Sequence, residues 1–216
     1  FYLIMYVTPG PNNSILTASG IKFGFVKTIP NILGIPTGHG IQLSLVCLGL
    51  GSLFIHFPFL LNILKYIGAT YLLYLSWKML GSLNVSSSED KSAPLRYYEA
   101  ILFQFVNPKA WVICITAVTL FYPEDTNILV GTLFMVLMST IINIPSISIW
   151  AYGGSIIRNY LSNIIIKKIL EWLLAALLLI TAFNIVFPKI MINYFFSPFI
   201  LEPITYICSV IFNYLL

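Results

Sequence analysis

A break inside an apolar stretch is the feature that most constrains the fold of this chain. Residues 1–7 are almost entirely apolar and would continue as a helix, but they are followed by Thr8-Pro9-Gly10-Pro11-Asn12-Asn13. Each proline removes a backbone donor and clashes with the preceding turn, and the glycine adds backbone freedom. The sequence therefore predicts a broken helix with freed carbonyl and amide groups. Inside a membrane, such backbone is tolerated only where it is buried in protein or lines a cavity.

Composition indicates that the chain does lie in a membrane. Of its 216 residues, 59% are hydrophobic and only 8% are charged, and the mean hydropathy is +0.93. Soluble domains carry about 25% charged residues, so a soluble domain of this length could not cover its surface. We therefore predict an all-α integral membrane protein. The formal charge of +4 is interpreted as membrane topology, which excludes nucleic acid as a partner.

Six transmembrane segments follow from the distribution of apolar residues, because a helix of about 20 such residues crosses a bilayer. The only clearly solvated stretch is the Ser-rich, charged linker 82–96, which separates a first repeat, 1–81, from a second repeat, 97–188. We expect residues 189–216 to form an apolar tail, as a seventh span, a re-entrant pair or an extension. The chain begins at Phe1 without Met, so we expect it to lack the start of its first span. The predicted spans lie at about 1–20, 33–55, 60–80, 98–121, 127–151 and 169–188.

The two repeats carry the same interruption. Pro9 interrupts the first span and Pro108 interrupts the fourth, 108 − 9 = 99 residues later. Each repeat has three predicted spans, and three is an odd number, so the second repeat must insert upside down relative to the first. Proline-interrupted segments at matching positions of inverted repeats point to a transporter site near the bilayer midplane. Residues 1–188 are thus predicted to be one transporter domain.

The basic residues predict the orientation of this domain. Cytoplasmic loops carry an excess of Lys and Arg, and placing the N-terminus outside leaves only Lys65 and Lys189 on the outer side, with Lys109 inside a span. We therefore predict a multi-pass protein with its N-terminus outside. The basic residues on the inner side are then Lys22, Lys27, Lys78, Lys91, Arg96, Arg158, Lys167 and Lys168.

Several motifs, in this order and spacing, resemble the LysE/RhtB family of amino-acid exporters over about residues 5–188. They are the segment 8–13, Gly34 and Gly38, Lys65-Tyr66-Ile67-Gly68-Ala69-Thr70-Tyr71-Leu72-Leu73-Tyr74-Leu75, Phe105-Val106-Asn107-Pro108-Lys109-Ala110-Trp111, and Asn143-Ile144-Pro145-Ser146 with Trp150, Gly153 and Arg158. The resemblance implies two inverted three-helix repeats in the bacterial cytoplasmic (inner) membrane. It also implies proton-driven efflux of amino acids or close derivatives, of the neutral, threonine/homoserine or cysteine/O-acetylserine type. The Asn-Pro-Ser form of the fifth span is similar to the cysteine/O-acetylserine branch.

The candidate substrate site combines the two broken spans. We expect the freed amides after Thr8, Pro9, Gly10 and Pro11 to hold the substrate carboxylate at a positive helix end, with Asn12 and Asn13 as further polar contacts. Asn107-Pro108-Lys109 supplies the facing wall. A lysine inside a span is a functional hypothesis by default. Lys109 either snorkels to an interface or serves the substrate carboxylate or coupling.

A third wall and a proton relay complete the predicted site. Asn143, Pro145 and Ser146 are expected to form a second polar break, with interhelical packing as the alternative. His39 lies near a span centre and is a candidate proton relay together with Lys109.

The sequence offers little for an enzyme. No His/Glu/Asp cluster has metal-ligand spacing, so neither metal nor cofactor is expected, and the predicted partners are a small amino-acid substrate, protons and membrane lipid. A homo-oligomer is left open. The alternative function is a thiol/disulfide electron carrier of a related six-span fold, with Cys47 and Cys114 as its pair. Cys208 lies in the tail, and the odd cysteine count argues against a disulfide framework.

Overall fold

The computed structural model describes residues 1–57, 59–80, 93–123, 125–158 and 164–187. Within these ranges the regular secondary structure is entirely helical, as predicted. The tail 189–216 and residues 82–92 of the linker lie outside the described residues.

Helices of the first repeat follow one another with short connections. The first span is broken as predicted, into α1 (Tyr2–Val7) and α2 (Pro11–Phe23). Next come α3 (Phe25–Leu45), a π-helical segment (Val46–Leu50) and α4 (Gly51–His56), and the repeat ends with α5 (Phe59–Met79).

The second repeat begins with another broken span. α6 (Tyr97–Val106) and α7 (Pro108–Phe121) meet at Asn107 with a bend of 73°. They are followed by α8 (Ile128–Arg158) and α9 (Ile164–Val186).

Among the described residues, two helical segments are long and apolar enough to cross a membrane, Phe25–Phe54 and Ile128–Arg158. The bent α6–α7 pair makes a third if it is counted as one broken span. α5 and α9 contain 21 and 23 residues. The class of helical membrane protein is therefore confirmed, whereas the count of six spans stays a prediction.

Two sequence-based boundaries were wrong. The second span was expected to begin near residue 33, but α3 begins at Phe25, so Lys27 lies in the helix and not in a loop. The reason is that the single residue Gly24 makes the connection between α2 and α3. Its φ of 85° is a conformation that favours glycine.

The fifth span was expected to break at Pro145, but α8 continues through it. Pro145 follows Ile144, which cannot cap a new helix as Asn107 does before Pro108, and a membrane helix tolerates the loss of the single backbone donor that the proline removes. Ser146 and Ser148 donate to the carbonyls of Ile142 and Ile144, one turn earlier, at 2.6 Å each.

Glycines bring α3 close to α6 and α2 close to α8. A Cβ on Gly34 would meet the carbonyl of Tyr97, and a Cβ on Gly38 would lie 2.7 Å from the carbonyl of Ile101. Successive residues of α3 thus contact successive residues of α6 in the same order, so the two helices run parallel.

α8 runs parallel to the first broken span by the same criterion. Tyr6 of α1 hydrogen-bonds Ser139 of α8 at 2.6 Å. At higher residue numbers in both segments, a Cβ on Gly154 of α8 would meet the carbonyl of Thr17 of α2. α5 and α9 pair in the opposite sense. Ser76 donates to the carbonyl of Ala175 at 2.9 Å, while earlier α5 residues share an apolar cluster with later α9 residues.

Candidate functional site

The two helix breaks occupy equivalent positions in their spans. α2 resumes with Pro11 at its first helical position, and α7 resumes with Pro108 at its first position. Proline suits this position because the amide it lacks would have no helical partner. By helix position the counterpart of Pro108 is therefore Pro11, 108 − 11 = 97 residues earlier, and not Pro9.

The side chain of Lys109, the second residue of α7, reaches across to the break between α1 and α2. Its Nζ donates to Thr8 Oγ1 at 2.9 Å, to the Thr8 carbonyl at 3.2 Å and to the Pro9 carbonyl at 3.4 Å. The ammonium thus lies at the carbonyl end of α1, where the helix dipole favours a cation. Gly10 gives the lysine room, because a Cβ there would lie 3.1 Å from Nζ.

Asn12, the second residue of α2, crosses in the other direction. Its Nδ2 donates to Gln104 Oε1 at 3.0 Å, and its Oδ1 accepts from Gln104 Nε2 at 3.1 Å and from Asn107 Nδ2 at 3.4 Å. Gln104 is completely buried near the end of α6. Sequence reasoning missed this residue, although an amide in the apolar run before Asn107 was a usable signal. Gln42 of α3 also donates to the Gln104 carbonyl, at 2.8 Å.

Two other asparagines stabilise the breaks themselves. Asn13 Nδ2 donates to the carbonyls of Tyr6 and Thr8, at 2.8 Å each, and so binds the C-terminal end of α1. Asn107 Oδ1 accepts from the Lys109 amide at 3.2 Å and caps α7. The N-cap of α2 is Gly10, which has no side chain to do the same. The positive end of α2 is thus left without a side-chain cap.

A cavity of about 30 Å³ lies between the two breaks. It has room for about two water molecules, which is less than an amino acid needs, so binding a substrate requires the helices to separate. Most of the predicted site residues line it, namely Gly10, Pro11, Asn12, Asn13, Asn107, Lys109 and Asn143.

The other predicted substrate-binding residues do not line this cavity. Thr8 and Pro9 supply the acceptors for Lys109, and Pro108 begins α7. Pro145 and Ser146 are not among the residues that line the cavity. Pro145 is exposed, and the Ser146 hydroxyl bonds within α8.

Asn143 presents an unsatisfied acceptor at this cavity. Its side chain is only 2% exposed, and its Oδ1 has no hydrogen-bond partner in the described part of the chain. A buried acceptor without a donor costs about 1–3 kcal/mol. A ligand with an N–H or O–H group would satisfy it.

His39 forms another wall of the cavity. Its ring is buried, with Nδ1 3.6 Å from Cys114 Sγ, and it meets the Tyr6 ring edge-on at a centroid distance of 5.5 Å. Cys114 and Cys47, the pair named for the electron-carrier alternative, are free cysteines. No group of three or more His, Cys, Asp or Glu within the described ranges could hold a metal ion.

A helical membrane protein with a polar cavity closed between two broken spans belongs to the class of carriers. Comparison with known proteins agrees, since the LysE type translocator profile matches residues 3–188. The chain belongs to this family, and it is a transporter and not an enzyme, as predicted.

Curated relatives carry the names of efflux proteins. The cysteine/O-acetylserine efflux proteins of Salmonella choleraesuis (strain SC-B67) and Escherichia coli (strain K12) are each 28% identical to this chain, over 160 and 162 residues. The alignments cover 74% of this chain and 81% of each relative. They support the predicted class of amino-acid exporter. No solved structure matches the chain.

Proposed function

We propose that this chain exports an amino acid or a close derivative, of the cysteine/O-acetylserine type, across the bacterial cytoplasmic membrane. The observation that carries the proposal is the reciprocal crossing of Lys109 and Asn12 between two facing helix breaks, with a polar cavity between them. The names of the relatives support the substrate class. Export then proceeds by alternating access of the two repeats around this cavity.

The substrate carboxylate binds at the uncapped start of α2. The first amides of a helix attract anions because they carry no internal partner and lie at the positive end of the dipole. Lys109 holds the carbonyls of Thr8 and Pro9 in the closed arrangement and exchanges them for the carboxylate when substrate enters. The substrate amino group donates to Asn143 Oδ1, the acceptor left without a partner in the described residues. Donors for the carboxylate at one end and an acceptor for the amino group at the other thus orient a zwitterion.

Six spans in two inverted repeats fit the packing of the helices. In an inverted repeat, α3 corresponds to α8, and α6 corresponds to α1. The parallel contact of α3 with α6 then corresponds to the parallel contact of α8 with α1 and α2. The same correspondence maps the antiparallel α5–α9 pair onto itself. At 1.5 Å per residue, α5 and α9 each reach about 30 Å, the thickness of the hydrocarbon core.

An outside N-terminus fits the grouping of basic residues at one end of the bundle. Lys22 lies in the last turn of α2, Lys27 lies in the first turn of α3, and Arg158 ends α8. The Arg158 guanidinium lies against Gly24, with Nη1 2.7 Å from the position of a Cβ there. Cytoplasmic ends carry the excess of Lys and Arg, so this end faces the cytoplasm.

Coupling to the proton gradient is assigned to His39 and Lys109. Both line the cavity, and the groups that face His39 from neighbouring helices are Cys114 of α7 and Tyr6 of α1. An intramembrane histidine that reaches a substrate cavity can carry a proton as the substrate moves.

Counterflow in proteoliposomes tests the proposal. Vesicles loaded with unlabelled substrate are diluted into radiolabelled amino acids, with O-acetyl-L-serine and L-cysteine first and other neutral amino acids as the panel. We expect counterflow by the wild-type chain and a loss of at least about tenfold in Lys109→Ala, since a hydrogen bond to a charged group contributes about 1.5–3 kcal/mol. The matched control is Lys168→Ala, because Lys168 is exposed on α9, away from the cavity.

Two results would contradict the proposal. Absence of counterflow for every amino acid in the panel would remove the exporter function. Full transport and affinity in Lys109→Ala would leave the exporter function intact but remove the site described between the breaks.

A further inference from the structure

A second, larger cavity lies along α2, away from the helix breaks. Its volume is about 320 Å³, against about 30 Å³ for the cavity between the breaks. Ligand pockets begin at about 300 Å³, so this cavity can hold an amino acid without movement of the helices. It is bounded by α2, α3, α5, the end of the linker at Ala93–Leu95 and Leu178 of α9.

Two hydrogen-bond donors give this cavity its chemistry. Asn31 of α3 is 1% exposed and lines the cavity, and its Nδ2 has no hydrogen-bond partner among the residues described. Lys22, in the last turn of α2, also lines the cavity, with its Nζ 5.6 Å from the centroid of the Phe23 ring. A buried amide donor without a partner costs about 1–3 kcal/mol. The Lys22 ammonium on the wall of the same cavity favours an anionic ligand, such as a carboxylate.

Apolar side chains supply the rest of the wall. Ile15, Leu75 and Leu178 contribute aliphatic surface, and Tyr71 and Tyr74 contribute aromatic surface. A ligand that fits has one carboxylate for the donors and a small, mostly apolar remainder.

One face of α2 connects this cavity to the site between the breaks. Asn12 lines the smaller cavity, and Ile15, Ser19 and Lys22 line the larger one. Their spacing of three, four and three residues puts all four side chains on the same side of the helix. The distance along the axis from Asn12 to Lys22 is about 15 Å. A ligand bound at Lys22 is thus two to three helical turns from the substrate site.

We propose that the cavity at Lys22 and Asn31 is a vestibule site that binds the carboxylate of the amino-acid substrate on the cytoplasmic side before it reaches the helix breaks. This inference rests on the proposed export function, which supplies the substrate and the direction. Asn31 Nδ2 and the Lys22 ammonium donate to the carboxylate. The substrate then moves along the Asn12–Lys22 face of α2 when the two repeats separate.

Thiol labelling tests the vestibule site separately from transport. Leu75→Cys places a thiol on the α5 wall of the vestibule, which does not line the cavity between the breaks. The chain is reconstituted in phosphatidylcholine vesicles and labelled with a maleimide from the cytoplasmic side, and the wild type gives the background of the natural cysteines. The probe is O-acetyl-L-serine, because it has no thiol to consume the reagent.

We expect saturating O-acetyl-L-serine to slow the labelling of Leu75→Cys by about tenfold. The control is Trp77→Cys, on the same helix, whose parent residue is 81% exposed and does not line the vestibule. Its labelling should not respond to the amino acid. Tyr74→Cys, on the same wall, serves as a second reporter if Leu75→Cys does not fold.

Asn31→Leu and Lys22→Met identify the donors. Each should raise the half-protecting concentration of O-acetyl-L-serine by about tenfold, the effect of one lost hydrogen bond to a charged group. In Lys109→Ala, which lacks the lysine of the central site, protection of Leu75→Cys should persist. Unchanged protection in both donor variants would overturn the vestibule site, and so would loss of protection in Lys109→Ala.

The remaining outcomes separate the two proposals and the two sources of an anion. Counterflow without any protection of Leu75→Cys would overturn the vestibule site and leave the export function standing. Protection without counterflow would support the vestibule site and contradict export. Protection that appears only when phosphatidylglycerol is added, without amino acid, would overturn the proposal and assign the cavity to a lipid headgroup.

Discussion

Asn12 and Lys109 hold the same position in two different helices, and each contacts the break that precedes the other's helix. Both are the second residue of a helix that resumes after a break, behind Pro11 and Pro108 respectively. Asn12 bonds Gln104 at the end of α6, whereas Lys109 bonds Thr8 at the end of α1. The two crossings therefore join the halves of the chain at the cavity itself, and a movement that opens the cavity must break at least one of them.

The Lys109 side chain packs closely against Gly10 where it contacts the first break. Gly10 has a φ of −177°, an extended conformation that any residue adopts, so Gly10→Ala introduces no backbone strain. Its Cβ would instead lie 3.1 Å from Lys109 Nζ and 3.2 Å from Cδ. We expect Gly10→Ala to displace the ammonium and to lower counterflow by about tenfold, the loss expected from one charged hydrogen bond.

The control for this variant is Gly153→Ala, where a Cβ meets nothing within 4 Å. It should transport like the wild type. If both alanine variants transport equally well, the position of Lys109 in the structure does not matter for transport.

Substitution of Asn143 should affect substrate binding more than the stability of the protein. Asn143→Leu removes the acceptor that we assign to the substrate amino group, so the KM for O-acetyl-L-serine in counterflow should rise by about tenfold. The same change removes a buried acceptor that has no partner in the described residues and also the side-chain hydrogen bond of Asn143 with Tyr6, two effects of opposite sign, so thermal stability in detergent should change little.

Ser146→Ala is the comparison, because the Ser146 hydroxyl bonds the Ile142 carbonyl within α8. Its KM should stay at the wild-type value. A variant Asn143→Leu that unfolds at lower temperature with an unchanged KM would give Asn143 a structural role only.

His39 is expected to carry the coupling proton. His39→Gln keeps a polar side chain beside Cys114 and Tyr6 but cannot take up a proton. Export driven by an imposed pH gradient should therefore lose its dependence on that gradient. Counterflow, which needs no net proton movement, should continue.

His56→Gln provides the matched control, since His56 is exposed at the end of α4. It should respond to the gradient like the wild type. If His39→Gln keeps the full response, the coupling role passes from His39 to Lys109.

Local chemistry explains which parts of the site could be predicted from the sequence. Pro11 follows Gly10 and Pro108 follows Asn107, and a Gly or Asn N-cap before a proline at the first helical position is a local signal for a helix start. A lysine inside an apolar segment is energetically costly, so Lys109 indicates a functional site without any knowledge of its neighbours. The breaks and the lysine facing the first of them were therefore predictable.

Long-range pairing explains what sequence reasoning missed. Gln104 matters because Asn12, 92 residues away in sequence, meets it, and no local pattern reports that contact. Pro145 was wrongly predicted to break its helix. A proline in the sequence suggests a break, but the long helix α8 continues through this one. The vestibule is likewise made by residues from four helices and the linker end.

Close packing of α2 on α8 gives a prediction about stability. A Cβ on Gly154 would meet the backbone carbonyl of Thr17 and lie 3.1 Å from the amide nitrogen of Ile21, and these backbone atoms cannot rotate away as a flexible side chain can. Gly154→Ala must therefore push the two helices apart, and overpacking of this kind costs about 1–3 kcal/mol. The adjacent Gly153→Ala meets no atom within 4 Å and should change stability by less than about 1 kcal/mol. Thermal unfolding of both variants in the same detergent, followed by circular dichroism, compares them directly. Equal midpoints for the two variants would mean that α2 and α8 do not pack as closely as the structure has them.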